Sequence, residues 1–375
     1  MCDTLCNPTT HTSITSMGCC KGGAKIITLQ PSGSDELEIF RAFPRPSGEV
    51  VAQIAFGGLA FHDAALARMR SDWPVLWVQG DPCTGEHIWG TQAFTSTAKN
   101  LSRVVRNGHV IGSAWTGEGA DYCLLAEVLP ADLAASRGAQ TYSCFEQMEA
   151  ALEMAGMDFS HVARTWLYLD HLLDWYDEFN EARTRFFRER GVFEHMVPAS
   201  TGIGGANPQG AALSAAVLAV RPHDTRVSVR EVASPLQCSA TDYRSSFSRA
   251  VEIDSPEQRL LMVSGTASIA PGGESLYADD TAKQIHLTLD VVQAILKSCG
   301  MDWQNTTRAI GYFYDIAAHS IFERCCRERG MPPLPMLPVH ATVCRHDLLF
   351  EIELDAVAKH REKDSEGECQ CRHAK

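Results

Sequence analysis

Three carboxylates near the C-terminal end of the sequence are the residues best suited to acid–base chemistry. In FEIELD, residues 350–355, Glu351, Glu353 and Asp355 alternate with apolar residues. A period of two is typical of a strand with one apolar face and one polar face. Two interpretations are open: a face on which the carboxylates are solvated or ion-paired, or a site lined by one of them.

An internal repeat organises the chain around this strand. AGMDFSHVARTWLYL, residues 155–169, is similar to CGMDWQNTTRAIGYF, residues 299–313. An amphipathic helix precedes each copy and ends at a glycine. After each copy come a second helix and a closing strand, with the sequences RFFRERG (185–191) and GAALSAAVLAV (210–220) in the first half, and RCCRERG (324–330) and DLLFEIELDAV (347–357) in the second.

The order strands, helix, strand, helix, strand in each half predicts an α+β fold, in which two helices cover one face of a mixed sheet. We expect an N-terminal domain at residues 25–230, a C-terminal domain at 231–360, and disordered tails at 1–24 and 361–375. Short strand patterns within residues 25–107 predict an extension of the first sheet. Six cysteines belong to the tails: Cys2, Cys6, Cys19, Cys20, Cys369 and Cys371.

The repeat bears on the role of the carboxylates. Superposing the two closing strands puts Ser214 opposite Glu351 and Ala216 opposite Glu353. If this face of the first half's sheet were open to water, small residues such as Ser and Ala would not be required there. We therefore expect it to be buried against the second half. Glu351 is then expected in a cleft between the halves, a common place for ligand sites. Glu353 and Asp355 keep the interpretation as solvated or ion-paired groups.

Composition narrows the classes of function. The chain has 375 residues, 45% of them hydrophobic, and a net charge of −13, which argues against binding to nucleic acids or anionic membranes. No apolar segment reaches bilayer length and the N-terminus lacks the pattern of a signal peptide, so we expect a cytoplasmic protein. Scattered cysteines are typical of a reducing compartment. Their spacing predicts no zinc site, and no nucleotide-binding motif is present, so we expect no metal and no cofactor.

Several segments resemble known families. VSGTASI (263–269), CGMDW (299–303) and the closing LLFEIELDAVA (348–358) resemble the Rid (YjgF-like) domain, known for hydrolysing reactive imines. The tandem arrangement resembles a narrower family, the chorismatases. That match is carried by Y-x-x-F-x-x-x-R at 176–183, PASTGIG at 198–204 and HATVCRHDLLFEIE at 340–353. The resemblance covers roughly residues 75–360 and implies two Rid-like (chorismate-mutase-like) domains.

The chain departs from the Rid imine deaminases at one position. Those enzymes carry an arginine before the last strand, where it holds the substrate carboxylate. The corresponding positions here are near Pro198 and near Met336. Neither is an arginine, and Arg345 lies at a different place in the pattern. This difference favours the chorismatases over the imine hydrolases.

The chorismatase resemblance implies an enzyme that releases pyruvate from the enolpyruvyl ether of chorismate, a small anionic substrate. It implies Glu351 as the catalytic acid, which burial would keep protonated. Cys344 resembles the family members that form 3-hydroxybenzoate, whereas Ala267 resembles those that form a dihydroxycyclohexadiene carboxylate. The two hints conflict, with a slight preference for 3-hydroxybenzoate.

The two carboxylates of chorismate each need a charged partner, most often an arginine. Candidates are Arg164, Arg183 and Arg324, with Arg345 close to the closing strand. Further candidates for substrate binding are two residues that offer hydroxyls and two that shape the pocket floor: Tyr168, Tyr176, Thr201 and Gly265.

Two other functions remain open at this point. A tandem Rid-type deaminase would release ammonia from an imine or enamine, and a non-catalytic ligand-binding module would bind an anion without turnover. Rid domains are trimers with sites between subunits, so the resemblance implies either a monomer with one internal interface or a homo-oligomer, including a trimer.

Overall fold

The structure is a computed structural model that describes residues 10–16, 25–41, 48–69, 71–80, 84–117, 119–243 and 245–360. Its first sheet has eleven strands, which are β1 (Thr10–Ser16), β2 (Lys25–Pro31), β3 (Glu49–Gly57), β4 (Val75–Gly80), β5 (Ile88–Ser96), β6 (Ser102–Arg106), β7 (His109–Thr116), β8 (Ala120–Val128), β9 (Val162–Leu169), β10 (Ala199–Ala206) and β11 (Leu213–Pro222). Its second sheet has six strands, which are β12 (Ser228–Val232), β13 (Ala250–Asp254), β14 (Gln258–Ala267), β15 (Thr306–Phe313), β16 (Met336–His340) and β17 (Phe350–Lys359).

The α-helices alternate with the strands. They are α1 (Glu38–Arg41), α2 (His62–Met69), α3 (Arg137–Met154), α4 (Tyr176–Glu189), α5 (Thr281–Ser298) and α6 (His319–Glu328). Both amphipathic helices predicted upstream of the repeated words, α3 and α5, are present, and their predicted apolar faces are buried. Among the described residues, no helix is both long and apolar enough to cross a membrane.

The repeated motifs AGMD and CGMD form the same local structure in both halves. Gly156 and Gly300 adopt φ values of +70° and +66° directly after α3 and α5, a conformation that favours glycine and ends a helix. Asp158 and Asp302 then cap a short turn of 3₁₀ helix by accepting backbone N–H bonds. The turn delivers the chain into β9 and β15. The repeat therefore encodes the reversal that connects each long helix to its next strand.

The two predicted halves have the same strand order. The strands run β6-β7-β8-β11-β9-β10 in one half and β12-β13-β14-β17-β15-β16 in the other. In each, the strands flanking the second helix pair in parallel, and the closing strand lies between earlier ones. The α+β fold with two helices per half is confirmed.

The N-terminal segment repeats this order a third time. Strands β1 to β5 are arranged β1-β2-β5-β3-β4, with α1 and α2 at the positions of the two helices. Strand β4 pairs with β10, so the predicted extension of the first sheet is confirmed. We call residues 10–96 unit 1, 102–222 unit 2 and 228–359 unit 3.

Two predicted boundaries need correction. Residues 10–16 form β1, which pairs with β2 along its length, so the segment 1–24 is not a tail throughout. The boundary expected after residue 230 falls inside β12, which pairs with β13 from Ser228 onward. The tail cysteines and residues 361–375 lie outside the described residues.

The inner faces of the three units meet in a shared core. Phe56, Tyr168 and Tyr312 occupy equivalent positions, because each pairs with the closing strand of its own unit, at Gly90, Ser214 and Glu351 respectively. The ring centroids of Phe56 and Tyr168 lie 5.7 Å apart, and the hydroxyls of Tyr168 and Tyr312 lie 3.3 Å apart. The three rings mark an approximate threefold axis. The register also confirms that Ser214 is the counterpart of Glu351.

Candidate active site

Glu351 lies between units 2 and 3, in the cleft expected from the repeat. It projects from β17 and is only 4% exposed. A narrow cavity next to it has the following lining residues: Tyr176, Arg183, Ser200, Gly202, Ser245, Phe247, Arg249, Gly265, Ala267, Ile269, Cys344, Arg345, Leu348 and Glu351. The cavity measures about 50 Å³, room for a few waters. A ring-sized ligand therefore requires the lining side chains to move.

Gly265 provides the space for the Glu351 carboxylate. It lies on β14 next to a register shift between Val263 and Thr266. A Cβ atom built on Gly265 would overlap Glu351 Oε1 and lie 3.0 Å from Cδ. The same atom would lie 3.2 Å from Cγ2 of Thr201, which belongs to β10 of unit 2. The position therefore needs glycine because a carboxylate approaches the backbone closely.

Burial keeps Glu351 protonated near neutral pH. Desolvation, followed by the negative charge of Glu353, raises the pKa of Glu351 to about 8, although Arg164 and Arg249 act in the opposite direction. A carboxyl group with such a pKa is mostly neutral at pH 7 and can donate a proton. Glu351 therefore has the protonation state that the predicted role of a general acid requires.

Glu353 lies in a buried ion-pair network, and it is not solvated. Arg164 Nη2 donates to Glu353 Oε2 over 2.9 Å, Trp166 Nε1 donates to Oε1 over 2.9 Å, and Arg308 also donates to Oε1. Burial alone would raise the pKa of Glu353, but the two guanidinium groups outweigh it and hold that pKa below its usual range. Glu353 is therefore ionised, and its negative charge contributes to the raised pKa of Glu351.

Asp355 is buried as well, which corrects the alternative of a solvated group. It is 2% exposed, and its Oδ2 lies 3.6 Å from Arg308 Nη1. Desolvation raises its pKa, with Arg308 and Arg164 opposing the shift. The three carboxylates of β17 thus lie in three different environments.

Three arginines line the cavity beside Glu351. Arg183 comes from α4, is 2% exposed, and its Nη2 donates to Asn180 Oδ1 over 2.6 Å. Arg345 comes from the loop before β17 and donates to the backbone oxygen of Gly273 over 2.8 Å. Arg249 directly precedes β13 and donates to the backbone oxygen of Cys238 over 2.9 and 3.0 Å. Arginines from three separate segments therefore surround one buried acid.

Cys344 and Tyr176 also line the cavity. Burial, followed by the charge of Glu351, raises the pKa of the Cys344 thiol to about 12, although a hydrogen bond with Tyr176 opposes this. The thiol is therefore neutral and poorly suited to nucleophilic attack. Ala267, the other residue that the resemblance links to product choice, lines the same cavity.

Four predicted binding residues lie elsewhere. Arg164 and Tyr168 are fully buried, the first against Glu353 and the second on the threefold axis, so neither reaches the cavity. Thr201 lies beneath the cavity floor, where its Oγ1 accepts hydrogen bonds from Arg164 and from the Gly265 amide. Arg324 is exposed on α6 and does not line the cavity. A helical pattern alone did not show which face of α6 is turned outward.

Arg249 is the charged residue that the sequence interpretation missed. It lies in the segment between β12 and β13, together with two other lining residues, Ser245 and Phe247. The sequence feature that could have indicated Arg249 is its position directly before β13, a largely buried strand. The remaining unpredicted lining residues are Ser200, Gly202, Ile269 and Leu348.

Two other features lie apart from Glu351. In the part of the chain that the structure describes, His286, Cys325 and Glu328 bring potential metal ligands within 4.8 Å of one another on α5 and α6. None of them lines the Glu351 cavity. A larger cavity of about 310 Å³ does not contain Glu351. We choose the smaller cavity as the candidate site because the buried Glu351 carboxyl and the three arginines converge there.

Comparisons with known proteins agree with this division of the chain. A family model for "Chorismatase FkbO/Hyg5-like, N-terminal" matches residues 100–219, and one for "Endoribonuclease L-PSP" matches residues 239–358. A protein from Streptomyces rapamycinicus named "Chorismatase" is 27% identical over 224 residues, which are 52% of this chain and 64% of the relative. Another "Chorismatase", from Streptomyces hygroscopicus, is 24% identical over 305 residues, which are 74% of this chain and 84% of the relative.

A crystal structure of a chorismatase has the same fold. It superposes with a TM-score of 0.64 at 18% identity, over 92% of this chain and 99% of that chain. The chain spans slightly less than two thirds of the Streptomyces rapamycinicus relative, at 64% of its length. The two family models fall on units 2 and 3, which together line the Glu351 cavity. The chain is therefore similar to chorismatases over most of its length and has the fold of one of them.

Proposed function

We propose that this protein is an enzyme that cleaves chorismate and releases pyruvate, with Glu351 as the proton donor. The observation that carries the proposal is a carboxyl group buried between two units, with a pKa raised to about 8, surrounded by three arginines. Relatives named "Chorismatase" support the choice of substrate.

The chemistry requires a neutral acid at one carbon atom. Protonation of the terminal methylene carbon of the enolpyruvyl ether makes the ether carbon electrophilic. When water adds to this carbon, the adduct collapses to pyruvate and the ring alcohol, with cleavage of the bond between the former ether carbon and the ring oxygen. Glu351 supplies the proton and is left as a carboxylate, which regains a proton from water.

Arg183, Arg249 and Arg345 are the proposed partners of the two substrate carboxylates. An arginine presents two parallel N–H groups that match a carboxylate, and such pairs strengthen when water is excluded. The chain carries a net charge of −13, so only such a local concentration of guanidinium groups can attract a dianion. Tyr176, which also lines the cavity, is proposed to hydrogen-bond the substrate.

Cys344 is proposed to influence the ring product. Hydrolysis to a dihydroxycyclohexadiene carboxylate consumes one water, whereas 3-hydroxybenzoate and pyruvate together contain only the atoms of chorismate. Formation of 3-hydroxybenzoate by the steps above therefore requires that the ring alcohol then lose one water and become aromatic. Cys344 contacts the same cavity as Glu351 and narrows the space in which water can approach the ring. We favour 3-hydroxybenzoate as the product.

The test is incubation of the purified protein with chorismate, with pyruvate measured by a coupled assay and the ring product identified by chromatography. We expect pyruvate and one ring product in equal amounts. The Glu351→Gln variant should lose most of the activity, because an amide cannot deliver the proton. Absence of pyruvate with the wild-type protein, or full activity of the variant, would contradict the proposal. Ammonia release from 2-aminoacrylate without turnover of chorismate would indicate the deaminase instead.

A further inference from the structure

The larger cavity, which we call the axial cavity, lies where the three units converge. Phe94, Leu218 and Asp355 occupy equivalent positions on β5, β11 and β17, because they pair with Ala52, Arg164 and Arg308 on the next strand of their own units. All three of the closing-strand residues line the cavity. It is therefore on the approximate threefold axis, on the side of the Glu353 network away from the ring cluster of Phe56, Tyr168 and Tyr312.

The walls of the axial cavity are largely apolar and aromatic. Phe94, Trp115, Tyr122 and Trp166 contribute rings, and the rings of Trp115 and Tyr122 stack with centroids 5.5 Å apart. A volume of about 310 Å³ lies in the range of small-molecule sites. Such walls favour a compact aromatic ligand, and the faces of the rings also attract a cation.

The charged residues that line the cavity are acidic. They are Asp355 and Glu257, and no lysine or arginine is among its described lining residues. Arg308 lies behind Asp355, where it is engaged with Glu353. The cavity therefore disfavours an anion such as the dianionic substrate proposed for the Glu351 site, and favours a ligand of positive charge.

Two acceptor atoms at the cavity lack a donor. Asp355 is 2% exposed, and its Oδ1 accepts no hydrogen bond from the described residues. The Oε1 atom of Gln258, a neighbouring lining residue, likewise has no donor within the described part of the chain. A buried acceptor without a donor is costly, and a primary ammonium group offers three donors.

We propose that the axial cavity is a second ligand site, which binds a compact aromatic molecule carrying a protonated primary amine. The ring lies among Phe94, Trp115 and Tyr122, and the ammonium group donates to Asp355 Oδ1 and Gln258 Oε1. This site is separate from the Glu351 cavity and selects for the opposite charge.

The test uses 2-phenylethylamine as the probe, with phenylacetate as a control of similar shape and opposite charge. Binding to the full chain is measured by calorimetry and by the NMR signals of the Met262 and Leu218 methyl groups, which line the cavity. We expect the amine to bind with a Kd of about 1 mM or below, and phenylacetate to bind at least about tenfold more weakly. No binding of the amine at about 10 mM, or equal binding of phenylacetate, overturns the proposal.

Variants locate the site independently of any activity. Asp355→Asn should weaken amine binding at least about tenfold, and Leu218→Trp, which fills the cavity, should abolish it. Gly202→Ala alters only the Glu351 cavity and should leave amine binding unchanged. If Asp355→Asn does not fold, the proposal is still tested by Leu218→Trp and by the comparison of the two probes on the wild-type protein. Unchanged binding in Leu218→Trp, or loss of binding in Gly202→Ala, overturns the proposal. Because chorismate is absent from these experiments, they do not depend on the proposed function.

Discussion

Substituting Gly265 by alanine tests whether the position of Glu351 governs activity. The added Cβ would overlap Glu351 Oε1 and approach Cδ to 3.0 Å, so the carboxylate would have to move by about 1 Å. A displacement of about 1 Å can reduce catalysis roughly 10²-fold. We therefore expect kcat for pyruvate release to fall about a hundredfold in Gly265→Ala.

The cost in stability should be moderate. Gly265 does not have a positive φ, so the backbone accepts alanine, and the cost comes from overpacking against Glu351 and Thr201. Overpacking typically costs about 1–3 kcal/mol of unfolding free energy. Urea unfolding followed by circular dichroism measures this cost and shows whether the variant remains folded at the assay temperature.

Two glycines serve as matched controls for this substitution. A Cβ on Gly33 meets nothing within 4 Å and lies away from the cavity, so Gly33→Ala should keep wild-type activity. A Cβ on Gly202 also meets nothing within 4 Å but enters the cavity, so it should raise KM more than it lowers kcat. A folded Gly265→Ala protein with wild-type kcat would refute the reasoning, since the carboxylate would then have moved without consequence.

Four further predictions concern residues in and around the site. Pyruvate release should fall as the pH rises through about 8, because Glu351 then loses the proton that it donates, and a flat pH–rate profile up to pH 10 would contradict its assignment as the acid. The raised pKa of Glu351 also stabilises the folded protein at low pH, and this contribution should be lost as the pH rises from about 4.5 to about 8 in wild type but not in Glu351→Gln, as measured by urea unfolding. Arg308→Met should lower the unfolding free energy by about 3–5 kcal/mol, because Glu353 loses one of its two guanidinium partners. The double variant with Glu353→Leu should recover part of this loss of stability, and urea unfolding measures both variants. Cys344→Ala should change the ratio of ring products on chromatography while pyruvate release continues, and an unchanged ratio would remove Cys344 from product choice.

The repeat shows how far local sequence determines this fold. The words AGMD and CGMD specify a helix end and a capped turn, because glycine adopts a positive φ and aspartate accepts backbone N–H bonds. The period of two in FEIEL specifies a strand, and its comparison with LSAAV indicated that Glu351 and Glu353 are replaced by Ser214 and Ala216 in the first half. These features depend on residues close together in the chain, so the sequence alone was sufficient to predict them.

Long-range packing decided what the sequence left open. Glu353 and Glu351 are two residues apart on the same strand face, but Arg164, from unit 2, reaches only Glu353 and leaves Glu351 to be neutralised by a proton. Arg249 lines the cavity although the sequence did not predict it, and Arg324 does not line it although the sequence did. The packing of the units, and not the local pattern, determines which arginines face the cavity. The charge state of a buried carboxyl depends on partners that are distant in sequence: Glu353 is paired with Arg164 from unit 2 and with Arg308 from its own unit. The sequence by itself therefore determined the strand and the candidate acid, whereas the tertiary structure decided which carboxylate is neutral, because only burial and the distant arginines set its pKa.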